Sequence, residues 1–204
     1  EDCGYPTTIS KKSDLKKFVD HNFEYGIDKI FEEDGNHDVI AYKNSFTDYE
    51  VQMLNMLREK VGKFTKKNYN KCIKPIGNLL VQTGPWRAIS QINSFFFEGN
   101  KTKIFEIGAG HGYLGALLSL VGYKYYSYDV TQSLYIWQNH LMNCVNDGKF
   151  TEYILSPSKK FGIPKVAHFP WWQFYNFFIS NELDDFDIVY SNSNLCEMHP
   201  IALK

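Results

Sequence analysis

Cysteine is scarce in this chain, and an excess of either charge is nearly absent. Four cysteines among 204 residues (Cys3, Cys72, Cys144 and Cys196) stand without a C-x-x-C pair, which fits neither a zinc site nor a disulfide scaffold. No metal ligand set is expected, and a reducing cytoplasm is the simplest compartment. Basic and acidic residues nearly cancel, for a formal net charge of −1. There is no general basic field to hold DNA or RNA, so no nucleic-acid partner is expected. Apolar runs stay short of the ~18 residues that a membrane span requires, so no membrane partner is expected either. No signal or transit sequence is expected in the chain either. The sequence begins at Glu1 rather than Met, which leaves room for an upstream segment removed or lying outside it. What is present is 44% hydrophobic, enough to bury one sizeable core.

The most informative stretch is Lys103 to Asp129, KIFEIGAGHGYLGALLSLVGYKYYSYD. A short apolar run (Ile104, Phe105, Ile107) stops at Gly108, Gly110 and Gly112, and Leu114, Leu117, Leu118 and Val121 then follow at helical spacing. That pattern predicts strand, tight turn and helix, with Gly122 as the helix C-cap. Lys124 to Tyr128 predicts a second strand delivering Asp129 at its end. The result is a βαβ unit with its glycine turn at the carboxyl edge of a sheet, where open α/β folds bind nucleotides. Glycine lacks a Cβ and lets backbone approach a ligand closely. An acid about 20 residues on can accept hydrogen bonds from both ribose hydroxyls. Gly110-x-Gly112-x-x-Gly115 also satisfies the dinucleotide pattern, but Glu106 would face and repel a bound pyrophosphate. The same charge suits a phosphate-free ligand that carries ammonium and sulfonium cations.

Glu106-Ile-Gly108-Ala109-Gly110-His-Gly112, followed by Asp129, resembles the first two motifs of class I S-adenosylmethionine-dependent methyltransferases. The resemblance implies an α/β, Rossmann-like three-layer sandwich with a mainly parallel sheet over residues 101–204. It also implies S-adenosylmethionine as cofactor, held by Glu106, Gly108, Ala109, Gly110, Gly112 and Asp129.

Residues 1–100 read as a mainly helical region on the cap or substrate side. Ser13 is expected to cap a helix with Leu15, Phe18, Val19 and Phe23 inward; Gly26 interrupts it, and Ile27, Ile30 and Phe31 continue on a new axis. Gly35-Asn36-His37-Asp38 is a loop. Thr47-x-x-Glu50 is a capping box before a helix from about 48 to 64. The run Lys66 to Lys71 reads as a solvated face or loop. Pro85 fits a helix first turn, with Trp86, Ile89, Ile92 and Phe96 as the buried stripe and Gly99 as the stop. In the resembling family the segment before the first motif closes over the cofactor. By that analogy Gln82, Thr83 and Arg87 meet the methionine carboxylate, Arg87 foremost because guanidinium pairs carboxylate bidentately; an exposed helix arginine is the alternative.

After Asp129, Thr131 or Ser133 caps a helix with Leu134, Trp137, Leu141, Met142 and Val145 inward, ended by Gly148. The resemblance makes Val130 and Thr131 candidates for the adenine pocket. Phe150 to Leu155 and Val166 to Trp171 compete to be the third strand. The second is favoured because it leads into the aromatic run Phe174, Tyr175, Phe177 and Phe178. Trp171 and Trp172 would then stand at the carboxyl edge, to stack on adenine or on a sugar, Trp172 being the substrate candidate, or to serve in the core.

Phe186 to Asn192 predicts the fourth strand. In the resembling family its end faces the methyl group, which puts Asn192 beside the cofactor, with Asn194, Glu197 and His199 at the reaction site. The run Asn192-x-Asn194-Leu-x-Glu197-Met, with a helical first half, is similar to the sugar O-methyltransferases. The expected acceptor is therefore a hydroxyl of a small molecule, a sugar or nucleotide sugar, with small-molecule N-methylation as the alternative. His199, of a type that titrates at about 6.5, is the candidate base, and Glu197 the second base or orienting group. An NAD-dependent dehydrogenase and a non-catalytic binding domain of the same fold are the further alternatives. A class I sheet has seven strands, so its C-terminal strands are expected beyond Lys204.

Overall fold

The computed structural model describes residues 7–24, 45–97, 102–153, 165–173 and 186–192. Helices come first in the described chain: α1 (Lys12–Glu24), α2 (Asp48–Tyr69), the single turn α3 (Gly77–Leu80) and α4 (Thr83–Phe96). Strands and helices then mix: β1 (Lys103–Ile107), α5 (Tyr113–Val121), β2 (Lys124–Asp129), α6 (Gln132–Val145), β3 (Thr151–Glu152), β4 (Val166–Pro170) and β5 (Ile188–Tyr190). The five strands form one sheet in the order β3-β4-β2-β1-β5, and every pairing is parallel. Parallel neighbours cannot be joined by tight turns, so α5 carries the chain from β1 back to the start of β2. This is the Rossmann-like α/β architecture that the βαβ unit implied. From β1 the chain moves outward through β2 to β3 at the edge, comes back one place to β4, and appears on the other side of β1 as β5. That reversal opens a crevice at the carboxyl end of β1.

Side-chain alternation divides the core between the two faces of the sheet. Ile104, Tyr125, Val166 and Ile188 point to one face and join Leu54, Leu57 and Val61 of α2, Trp86 and Ile89 of α4, and the apolar residues of α5 and α6. Phe105, Tyr126, Tyr128, Tyr153, Ala167 and Phe169 make a separate, mostly aromatic cluster on the other face. Burial on both faces is why these strands read as near-continuous apolar runs.

Several local expectations are corrected. Both candidates for the third strand are in the sheet: β4 pairs with β2, and the two-residue β3 pairs with the outer side of β4. The capping box of α2 is formed, with the Thr47 hydroxyl accepting from the Glu50 amide and Glu50 reaching back to the Thr47 amide. The helix outruns its predicted end and stops at Tyr69, where Asn70 takes a left-handed conformation as C-cap. In α4 the buried stripe is Thr83, Trp86, Ile89 and Asn93. Ile92 and Phe96 are exposed, because Asn93 turns inward to accept the Thr102 hydroxyl just before β1. Ser13 lies inside α1, whose start is tied instead by Asp14 Oδ2 accepting from the amides of Ser10 and Lys11. Neither Thr131 nor Ser133 caps α6 through its side chain; the Thr7 carbonyl accepts from the Ser133 amide at 3.2 Å, and Ile9 N–H donates to Gln132 Oε1 at 2.8 Å. A sequence-distant carbonyl thus supplies what a local hydroxyl was expected to supply.

No described helix is long and apolar enough to cross a membrane. Gly26, Ile27, Ile30, Phe31, the loop at 35–38, Gly99, Leu155 and the aromatic run from Phe174 to Phe178 lie outside the described residues.

Candidate functional site

The glycine turn follows β1 directly and takes its shape from three left-handed residues: Gly108 at φ 69°, Gly110 at 54° and Gly112 at 72°. A residue with a Cβ would be strained at each. The Gly108 amide donates to the Tyr128 carbonyl at 3.1 Å, and Gly112 donates to the Ala109 carbonyl at 2.8 Å. The chain then enters α5 with Gly112 at its N-cap. A Cβ at Gly110 would meet no atom within 4 Å; this glycine faces open space.

That space is a cleft of about 330 Å³ between the turn, Tyr113, Asn78 and Gln82, with Glu106 and Asn192 also in its wall. Glu106 is buried and accepts a hydrogen bond from the Tyr125 hydroxyl. Burial raises its pKa to about 8; the Tyr125 bond opposes the shift and the nearby Asp129 charge adds to it. Asp129, also buried, ends β2. Its carboxylate accepts from the Gly110 amide at 3.2 Å, the Thr131 amide at 2.9 Å and Gln138 Nε2 at 3.1 Å. Burial still raises its pKa, and these donors oppose the rise.

A second cleft of about 350 Å³ opens on the other side of Asp129, lined by Val130, Tyr135, Asn139, Glu152, Trp171 and Trp172 among others. The two indoles, each about half exposed, meet edge to face with centroids 6.0 Å apart. Behind them the Tyr135 hydroxyl donates to Glu152, and His168 Nδ1 lies 2.7 Å from Asn139 Oδ1. Burial lowers the His168 pKa to about 3, so the ring is neutral and Nδ1 carries the proton it donates. Among the described residues, neither cleft has lysine or arginine in its wall.

The structure gathers Glu106, Gly108, Ala109, Gly110, Gly112 and Asn192 at the first cleft, and Asp129, Val130 and Trp172 at the second. Trp171 and Trp172 stand at the carboxyl edge with Val130, beside Asp129. Thr131 contributes its backbone amide to Asp129 and lines neither cleft. Arg87 is displaced from the candidate site. Its guanidinium is held by Glu50 at 2.6 and 2.9 Å and by the Ser45 carbonyl at 2.6 Å. It lines another cleft, with Tyr49, Trp86 and Tyr123, toward the amino end of β2. Gln82, one turn earlier, does reach the glycine cleft, whereas the Thr83 hydroxyl is turned back to the Leu80 carbonyl. Asn194, Glu197 and His199 lie outside the described residues.

Two residues of α6 that sequence reasoning left out of the site hold the turn in place. Gln138 Nε2 donates to the Gly110 carbonyl at 2.5 Å as well as to Asp129. Trp137, expected in the core, is there, and its Nε1 also donates to the His111 carbonyl at 3.1 Å. The available signal was a carboxamide on an apolar stripe, since Leu134, Gln138 and Leu141 share one helical face.

No family model matches the chain, and no curated protein or solved structure matches it either.

Proposed function

We propose that this chain is an S-adenosylmethionine-dependent methyltransferase acting on a hydroxyl of a small molecule, a sugar or nucleotide sugar. The observation that carries the reading is the pair of acids around the glycine turn: Glu106 and Asp129 are buried at its two ends, and among the described residues no lysine or arginine lines either cleft. A dinucleotide brings a pyrophosphate that finds no counter-charge among these residues, while an adenosyl sulfonium brings cations and no phosphate. The cofactor fits the residues present. Gly110 leaves open room where any side chain would intrude; Asp129 sits at the end of β2, where a ribose diol would exchange for its present donors; and Val130 with the indole pair flanks an apolar slot for a base.

The amides at the start of α5 and the carboxamides of Asn78 and Gln82 would meet the methionine carboxylate in place of Arg87. The bound sulfonium supplies an activated methyl group, and the protein's part is to position an acceptor in line with it and take the acceptor's proton. Asn192 stands at the cleft on the side away from the indoles, where the acceptor would approach. Glu197 and His199 follow it in sequence as the candidate bases. Calorimetric titration with S-adenosylhomocysteine and, separately, NAD tests the cofactor. Micromolar binding of the first and none of the second is expected, and the reverse result overturns the reading. A methyl-release screen over nucleotide sugars then tests the acceptor and separates an enzyme from a binding domain.

A further inference from the structure

Glu106 is an acid in a place that does not favour its charge. It points from β1 to the helical face of the sheet, and the groups around it are Tyr125 and Asp129 from β2, Tyr113 from α5, Asn78 from α3, and Tyr190, its register partner on β5. His111 of the turn lines the same cleft. The Asp129 charge has the wrong sign to help Glu106 ionise. One hydroxyl, that of Tyr125, donates to Glu106. A buried carboxyl with one neutral donor, a second acid nearby and no lysine or arginine among the described residues of the cleft wall is more stable protonated.

Resting on the adenosyl reading of this cleft, we propose that Glu106 holds a proton in the free protein and releases it when the α-ammonium of the ligand arrives, so that binding exchanges a cation for a proton. The exchange balances: the neutral carboxyl loses its proton to solvent, the carboxylate pairs with the ammonium, and no bond of the ligand is made or broken. The Tyr125 hydroxyl donates in both states and steadies the ionised one. The pKa of about 8 in the free protein agrees with this direction. The device makes the site selective for ligands that bring a positive charge, and it weakens binding as the medium becomes more acid.

Calorimetry of the whole chain with S-adenosylhomocysteine, in buffers of different ionisation enthalpy, reads the exchange directly. Release of about one proton per site is expected at pH 6 to 7 and about half a proton at pH 8, with affinity rising about tenfold from pH 6 to 7. 5′-Methylthioadenosine, which has the adenosyl thioether without the ammonium, is expected to bind more weakly and to release none. Glu106→Gln should abolish both the release and the pH slope. Tyr125→Phe should move the slope's upper limit to higher pH, because the hydroxyl no longer favours the ionised form. Binding of S-adenosylhomocysteine without proton release, or release retained in Glu106→Gln and so assignable to His111, overturns the exchange and leaves the adenosyl reading standing. Failure of both compounds to bind at every pH overturns the adenosyl reading and the exchange with it.

Discussion

The ring of Tyr125 occupies the space that a side chain at Gly115 would need: a Cβ built on Gly115 would lie 2.1 Å from Tyr125 Cζ and 2.5 Å from its hydroxyl oxygen. Helix α5 therefore crosses β2 at a glycine, and that crossing carries the Tyr125 hydroxyl to Glu106. The third glycine of the Gly110-x-Gly112-x-x-Gly115 pattern thus has a packing reason that requires no dinucleotide.

Gly115→Ala is expected to force the ring aside and destabilise the fold by about 3 kcal/mol, the upper part of the usual overpacking range. Urea unfolding followed by tryptophan fluorescence would measure it. The double substitution Gly115→Ala with Tyr125→Leu is expected to recover part of the loss, because the shorter side chain ends before the clash. No recovery would place the strain elsewhere in α5.

Stability should depend on pH through two buried groups that act in opposite senses. The folded pKa of His168 is lowered to about 3 from 6.5, so the unfolded chain binds the extra proton between those values and stability falls as pH drops through that window. Glu106 is raised to about 8 from 4.5, so the folded chain holds the extra proton and stability falls as pH rises from 4.5 to 8. From about pH 4.5 to 6.5 the two slopes nearly cancel. Urea midpoints are expected to form a plateau there and to decline on both sides. Glu106→Gln should remove the decline between pH 6.5 and 8, where a single proton is worth at most about 1.4 kcal/mol per pH unit.

Arg87 and Glu50 form a structural pair rather than part of the ligand site. Glu50 is held down to about 2, chiefly by the Arg87 hydrogen bond, while the Arg87 side chain remains 42% exposed. Solvent screening limits such a pair, so Arg87→Ala should destabilise by about 1 kcal/mol. It should leave S-adenosylhomocysteine affinity within about twofold of the parent. A loss of tenfold or more by calorimetry would return Arg87 to the site.

The glycine turn, the two acids and the helix after Asp129 could be read from the chain because each is a local pattern of spacing. What escaped was set by contacts distant in sequence. Arg87 has carboxylate-binding chemistry, but its partner was fixed by Glu50, 37 residues earlier. Ile92 and Phe96 keep helical spacing with Trp86, yet the Asn93 bond to Thr102 selects the buried side. Thr131 and Ser133 are suitable caps, but Thr7 already fills that role from the other end of the chain. His168 reads as one polar residue in an apolar strand, and only the packing of β4 against α6 shows that it donates to Asn139.

The first two glycines of that pattern separate binding from stability. Gly110 and Gly112 share a left-handed backbone, so alanine at either is strained by about 1 kcal/mol. Their surroundings differ. A Cβ at Gly110 enters the open cleft, whereas one at Gly112 would lie 3.0 Å from Gln138 Cγ, and Gln138 is held by its bonds to Gly110 and Asp129. Gly110→Ala should therefore lose about 1 kcal/mol of stability but at least tenfold in S-adenosylhomocysteine affinity, because the methyl stands where the ligand would lie. Gly112→Ala should lose about 2 kcal/mol, through the same strain plus displacement of Gln138, and should weaken binding indirectly as the turn loosens. Gln138→Ala opens room for the added methyl, so it should relieve the crowding part of the Gly112→Ala defect without restoring the affinity lost in Gly110→Ala. Paired urea midpoints and calorimetric affinities would read this. Equal affinity for Gly110→Ala and the parent would mean that the ligand does not approach the turn at Gly110.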